Sequence, residues 1–113
     1  MDKHMTFADY QAFAVTTAIY PNQDDNLTYP ALGVAGEAGE VADLIKKVMR
    51  DHDAVLQPEQ RALLKKELGD LLWYIAMVCE EAVINMQDVV YENVAKLIDR
   101  QERGVLHGSG DLR

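Results

Sequence analysis

Positive charge is scarce in this chain. Its 113 residues carry 11 Lys and Arg against 19 Asp and Glu, a formal net charge of −8. A broad basic surface for nucleic acid is therefore excluded, and any bound phosphate needs a few concentrated cations or a metal. Cysteine is nearly absent: Cys79 stands alone in an apolar run, which fits a reducing compartment and rules out an intramolecular disulfide. Long hydrophobic runs are missing too. The longest, "LLWYIAMVC" at 71–79, falls well short of the ~20 residues that span a bilayer. The opening "MDKHMTFADY" lacks the apolar centre of a signal peptide. These absences predict a cytoplasmic protein with neither membrane nor nucleic acid as partner. Proline occurs only at Pro21, Pro30 and Pro58, each between periodic segments, so it punctuates helices rather than breaking them.

No segment alternates as a half-buried strand does, and the pattern is all-α with four helices. The first segment, "TFADYQAFAVTTAIY" at 6–20, opens on a Thr6–Asp9 capping box and repeats Phe7, Tyr10, Ala14 and Thr17 at helical spacing. After the polar loop "PNQDDN", a second helix runs from about Pro30 to Arg50. "DHDAVLQ" connects it to a third, from Pro58 to about Ile84, with Asn85 as its stop. A fourth starts near Gln87–Asp88 and carries the apolar stripe Met86, Val90, Val94 and Leu97. Three glycines in "GVLHGSGDLR" predict an irregular tail, flexible over 106–113. The length fits one domain over 1–113, with its core at about 5–105. From Leu71 to Cys79 the third helix is apolar on every side, so it must be surrounded. Three partner helices do not suffice for that, and burial in a homo-oligomer interface is expected.

The unusual feature is "GVAGEAGEVADLIKK" at 33–47, a helix that accepts three poor helix formers beside two acids. Glu37 and Glu40 are three apart and project to one side, and Glu37 shares its stripe with Val34, Val41 and Leu44. An unpartnered acid on an apolar face would cost several kcal/mol if buried. The third helix carries a matching pair, Glu67 and Asp70, in "KKELGDLLWY". If the two helices pack side by side, four carboxylates converge, and they repel unless cations neutralise them. An all-carboxylate donor set favours Mg²⁺, with Mn²⁺ as substitute, over Zn²⁺. The three histidines are scattered, and the Glu-x-x-His signature of di-iron bundles is absent. Such pairs are common on solvated faces; two of them, each beside glycine and each merging into an apolar face, favour a site.

"GEAGEVADLIKK" followed by "KKELGDLLWYIA" resembles the MazG-like nucleotide pyrophosphohydrolases of the all-α NTP pyrophosphatase superfamily. The likeness rests on Glu-x-x-Glu, a spacer of 26 residues between Glu40 and Glu67, and Glu-x-x-Asp, and it extends through "NVAKLIDRQERGV". It implies a four-helix MazG-like bundle completed by oligomerisation, as a dimer or tetramer. It also implies Mg²⁺-dependent hydrolysis of nucleoside or deoxynucleoside triphosphates to the monophosphate and pyrophosphate, in nucleotide-pool house-cleaning or regulation. Under the resemblance Glu37, Glu40, Glu67 and Asp70 are the metal ligands. Glu40, further from the apolar stripe, is the candidate to activate water. Asn93, Lys96 and Arg100 form a polar stripe on the fourth helix that matches a phosphate-binding Lys-x-x-x-Arg feature. Lys47, seven after Glu40, is a further phosphate candidate. For base binding Gln11, Trp73 and Tyr74 are available, although core packing is the commoner role of such aromatics. Nothing identifies the base. Two other readings stay open: alarmone (ppGpp-type) hydrolysis by the same site, and a non-enzymatic helical interaction module. The glycines that precede Glu37, Glu40 and Asp70 are expected to thin the helix surface so that ligands reach the acids.

Overall fold

The capping box at Thr6 is formed. In the computed structural model, which describes residues 3–113, the Thr6 hydroxyl accepts from the Asp9 N–H at 3.0 Å and the Asp9 carboxylate accepts from the Thr6 N–H at 2.9 Å. These bonds satisfy donors that a helix start leaves open, and helix α1 runs over Phe7–Val15. It stops well before the end of its periodic segment. The Thr16 and Thr17 hydroxyls donate to the Phe13 and Ala14 carbonyls at 2.6 and 2.7 Å, and the backbone N–H groups of Thr16, Thr17 and Ala18 bond three residues back. That local competition tightens and ends the helix.

Three longer helices follow: α2 over Thr28–Asp51, α3 over Pro58–Glu81 and α4 over Met86–Glu102. Pro30 is buried in the first turn of α2 and Pro58 opens α3, positions where a missing N–H leaves no helical bond unmade. Asn85 caps α4 by accepting from the Gln87 N–H at 2.9 Å. α3 ends three residues short of Ile84. The Ile84 N–H reaches back to the Cys79 carbonyl at 2.8 Å and the Val83 N–H to Glu80 at 3.2 Å, the double bond of a Schellman turn. This turn needs a left-handed residue, and Val83 supplies it at φ 57° although a β-branched side chain opposes that conformation. α4 closes with the same pair of bonds, Val105 to Arg100 and Gly104 to Gln101, but there a glycine holds the left-handed position at φ 70°. The chain then turns back on itself.

α2 and α3 form an antiparallel pair joined by the 52–57 loop, α1 lies on α3, and α4 packs principally on α1. The seam between α2 and α3 is close because Gly33 has no side chain: a Cβ there would collide with the Tyr74 ring. The buried core, Ala14, Tyr20, Ala76, Met77, Cys79 and Met86, gathers where α1 crosses the end of α3 and the start of α4. Gln11 ties this crossing together. Its amide donates to the Ile84 carbonyl at 2.9 Å and accepts from the Met86 N–H at 2.7 Å, spanning the α3–α4 turn.

The remainder is open. The radius of gyration is 16.9 Å, against about 13 Å for a compact chain of this length. The accessible surface is 8240 Å², against about 6,200 Å² for a compact monomer of this mass. Along α4 only Met86 of the expected apolar stripe is fully buried, while Val94 and Leu97 stay 48% and 40% exposed. α4 leaves the bundle, and its upper face meets neither α2 nor α3 to a comparable extent among the described residues. The apolar middle of α3 is likewise half covered: Ala76, Met77 and Cys79 are buried, but Leu71 to Ile75 keep partial access to solvent.

Two stability predictions follow from the backbone. Val83 is 93% exposed, so its side chain gains little from packing. Val83→Gly is expected to stabilise the fold by about 1 kcal/mol by relieving the left-handed strain, read as a melting-temperature rise of a few degrees. A fall would sink the reading. Gly33→Ala forces the Tyr74 ring aside and is expected to destabilise by about 1–3 kcal/mol. Gly36→Ala meets nothing within 4 Å and is expected to gain about 0.5–1 kcal/mol from helix propensity. Equal thermal shifts in the two glycine variants would refute the packing role of Gly33.

Candidate metal centre

Glu37 from α2 meets Glu67 and Asp70 from α3. One carboxylate oxygen from each lies within 4.8 Å of the others. Two helical facts produce this. The three-residue spacing of Glu67 and Asp70 aims both at one side of α3. The contact of Gly33 with Tyr74 sits one turn from Glu37 on one strand of the seam and one turn from Asp70 on the other, so it sets the register that brings the acids opposite. Glu37 and Glu67 are half-buried and Asp70 is exposed.

The cluster is electrostatically unmet. Partial burial pushes the Glu37 carboxyl above its ordinary range, and the Asp70 charge, a hydrogen bond to Glu67, and the Glu67 and Glu40 charges push the same way. Among the described residues no lysine or arginine pairs with Glu37, Glu67 or Asp70. Three hard oxygen donors with no cation suit Mg²⁺ or Mn²⁺ by donor chemistry and leave a nitrogen- or sulfur-seeking ion without its preferred ligands.

The other sequence candidates are placed unequally. Glu40 is exposed and stands outside the converging trio, near enough to add to the charge on Glu37. A Cβ at Gly36, Gly39 or Gly69 would meet nothing within 4 Å, so the helix surface beside the acids is open space. Gly33 differs from them, because its missing side chain is filled by Tyr74. Lys47 is paired with Asp43 at 2.9 Å, as is Lys46 at 2.8 Å, and together they hold the Asp43 carboxyl down to about 2.

Lys96 and Arg100 do lie on one side of α4, and Asn93 lines the same cleft as Lys96. That helix packs on α1, so one chain does not bring these cations onto the α2–α3 acids. Their partner is Asp111, whose Oδ1 accepts from Lys96 Nζ at 2.8 Å and Arg100 Nη2 at 3.0 Å. Sequence reasoning missed Asp111. The only hint was an acid inside a glycine-rich stretch.

Gln11 is committed to the α3–α4 turn through both of its polar ends, which leaves its amide to the fold rather than to a base. Trp73 donates to the Thr17 hydroxyl at 2.8 Å and meets the Tyr74 ring edge-on at 5.1 Å. Tyr74 borders the acids. Burial raises its hydroxyl, and Tyr29, Glu37 and Asp70 add to that rise. Tyr29 continues the aromatic row, stacked on Tyr20 at 4.8 Å. Glu81 anchors the far end of that row. It accepts from the Tyr20 hydroxyl and from the backbone N–H groups of Asp24 and Asn26, a role its sequence position gave no reason to expect.

The chain is 43% identical over 109 residues to the Gene 37 protein of Mycobacterium phage L5, covering 92% of this chain and 96% of that protein, whose name states no activity. No solved structure matches the chain. The pattern of the MazG nucleotide pyrophosphohydrolase domain matches residues 25–105, which include all four acids and the α4 cations. The match covers most of the chain, which therefore belongs to the MazG nucleotide pyrophosphohydrolase family.

Proposed function

We propose that this protein hydrolyses nucleoside or deoxynucleoside triphosphates at the α–β anhydride, releasing the monophosphate and pyrophosphate, with Mg²⁺ as cofactor. The observation that carries the reading is the uncompensated meeting of Glu37, Glu67 and Asp70 on two packed helices. These three acids are the ones that would hold the ion. When bound, Mg²⁺ supplies charge neutralisation of the triphosphate and acidification of a water. In this reading Glu40, which is exposed, takes the proton of the attacking water, and the nucleotide approaches over Gly36, Gly39 and Gly69, where an added Cβ would meet nothing within 4 Å. Cytoplasmic residence belongs to the same reading.

The phosphate cations come from a second copy in this proposal. A homo-oligomer is supported by the roughly 2,000 Å² of surface in excess of a compact monomer. Obligate homodimers bury about 2,000–5,000 Å² in total. The exposed apolar face of α4, with Tyr91, Val94, Leu97 and Ile98, and the half-covered middle of α3 are the surfaces it would close. Such closure carries Asn93, Lys96 and Arg100 of one α4 toward the acids of another chain. Lys47, on the same face as Glu40, is the cation available from the acids' own chain.

Incubation with a panel of triphosphates is expected to yield pyrophosphate and monophosphate with Mg²⁺ and nothing with EDTA. Glu67→Gln and Asp70→Asn should each abolish turnover with helical content unchanged. Orthophosphate as the product would contradict α–β cleavage, and an inactive protein across the panel would leave the helical interaction module as the better reading. Thermal melts test the metal site independently of turnover. Glu37 has a raised pKa, so the folded state holds more protons than the unfolded one above the ordinary value of 4.5. Its contribution to stability therefore falls as pH rises through that window. At neutral pH without metal, Glu37→Gln is expected to melt higher than the unaltered protein. Mg²⁺ or Mn²⁺ should raise the melting temperature of the unaltered protein and lose that effect in the variant. An unchanged metal response would remove Glu37 from the ligand set.

A further inference from the structure

The segment after α4 carries a feature that the family pattern, which ends at 105, does not cover. The Schellman turn at Gly104 reverses the chain, and the 105–113 stretch lies back along the cation-bearing side of α4. It has neither helix nor strand and buries little, with only Val105 and Arg113 half-covered. Specific polar contacts hold it. The Arg113 guanidinium donates to the carbonyls of Val105, Leu106 and Gly110 at 3.2, 3.1 and 2.7 Å, folding the segment into a closed loop. Arg103 donates to the Arg113 backbone oxygen at 2.7 Å.

This loop presents Asp111. A single carboxylate oxygen accepts from both Lys96 and Arg100, and the Asp111 carbonyl takes a further bond from Arg100 Nη2 at 2.6 Å. Arg100 is 5% exposed, so its charge depends on a partner for compensation. The partner itself is on the outside, with the Asp111 side chain 74% exposed. A charge that must be paired is thus paired by an acid on a lightly anchored segment. Such segments open at low free-energy cost. A polyphosphate offers the same two cations several anionic oxygens, and Arg binds phosphate and carboxylate with the same fork of donors.

We propose that the 104–113 segment is an autoinhibitory strap: Asp111 stands in for substrate phosphate on Lys96 and Arg100 and must be displaced before a polyphosphate binds there. This rests on the phosphate-binding role of the two cations given above. Apparent affinity then falls by the fraction of molecules with the strap open. If the strap is closed about nine times in ten, its removal tightens binding about tenfold.

Calorimetry with inorganic tripolyphosphate and Mg²⁺ tests this without turnover. Asp111→Asn keeps the shape and removes the charge, and it is expected to tighten tripolyphosphate binding about fivefold to tenfold. Arg113→Ala provides the control against a general charge effect. It deletes a cation, so a mere field effect predicts weaker binding, whereas loosening the strap predicts tighter binding. In triphosphate hydrolysis both variants should lower KM with kcat unchanged. Equal affinity in all three proteins, weaker binding in Arg113→Ala, or no binding by any of them overturns the strap. Tighter binding by both variants in a protein that hydrolyses no triphosphate supports the strap while sinking the proposed reaction. Turnover of triphosphates with unchanged affinities does the reverse.

Discussion

Three carboxylates are held close across the α2–α3 seam of this molecule. Glu37, Glu67 and Asp70 are brought together by the packing of α2 on α3, and among the described residues no lysine or arginine forms an ion pair with them. Like charges so placed weaken a fold unless something else holds the helices. Here the close seam at Gly33 and Tyr74, one turn away, does that holding. The aromatic row Tyr20, Tyr29 and Tyr74 stiffens the same end, and Glu81 pins its far side through three hydrogen bonds. The helix pair is therefore built to keep an unfavourable arrangement of charge in place, which is the condition for attracting a hard cation.

The acid trio and the Lys96–Arg100 pair sit on different parts of the chain. The acids belong to the α2–α3 pair, while Lys96 and Arg100 belong to a helix that leaves the bundle. The open arrangement leaves both unsatisfied by each other, and the exposed apolar face of α4 shares that incompleteness. Exposed apolar side chains along α4 and a radius of gyration of 16.9 Å go together, because α4 projects from the bundle.

Much of this was legible beforehand, for identifiable reasons. Helix number, the Thr6 cap, the first-turn prolines and the pairing of two Glu-x-x-acid helices depend on local chemistry and on spacing. The boundaries that slipped did so where a side chain or a single dihedral decides. Thr16 and Thr17 end α1 through hydroxyls that propensity counts as ordinary, and Val83 ends α3 in a conformation that sequence rules reserve for glycine. The family resemblance implies Glu40 as a fourth metal ligand, although its place further from the apolar stripe already set it apart from Glu37, and among the described residues the converging group is Glu37, Glu67 and Asp70. The sequence offers Gln11 and Trp73 to a base, with core packing the commoner role of the aromatic; long-range partners take up the Gln11 amide (Ile84, Met86) and the Trp73 N–H (Thr17). Asp111 was invisible because its meaning lies in a chain reversal 11 residues from Arg100.

The Gln11 clamp has mechanical leverage. It fixes both sides of the turn from which α4 departs, and it does so with one side chain. α4 has 17 residues and so extends about 25 Å beyond that turn. A tilt of ten degrees at the clamp would swing its far end by about 4 Å, more than the length of a hydrogen bond. The aim of Lys96 and Arg100, and with it the fit of any neighbouring chain against α4, is set at a pivot that touches neither. Gln11 shares that role with Phe7, whose N–H donates to Gln87 Oε1 at 2.9 Å, so the direction in which α4 departs is set by contacts with α1 at its first turn.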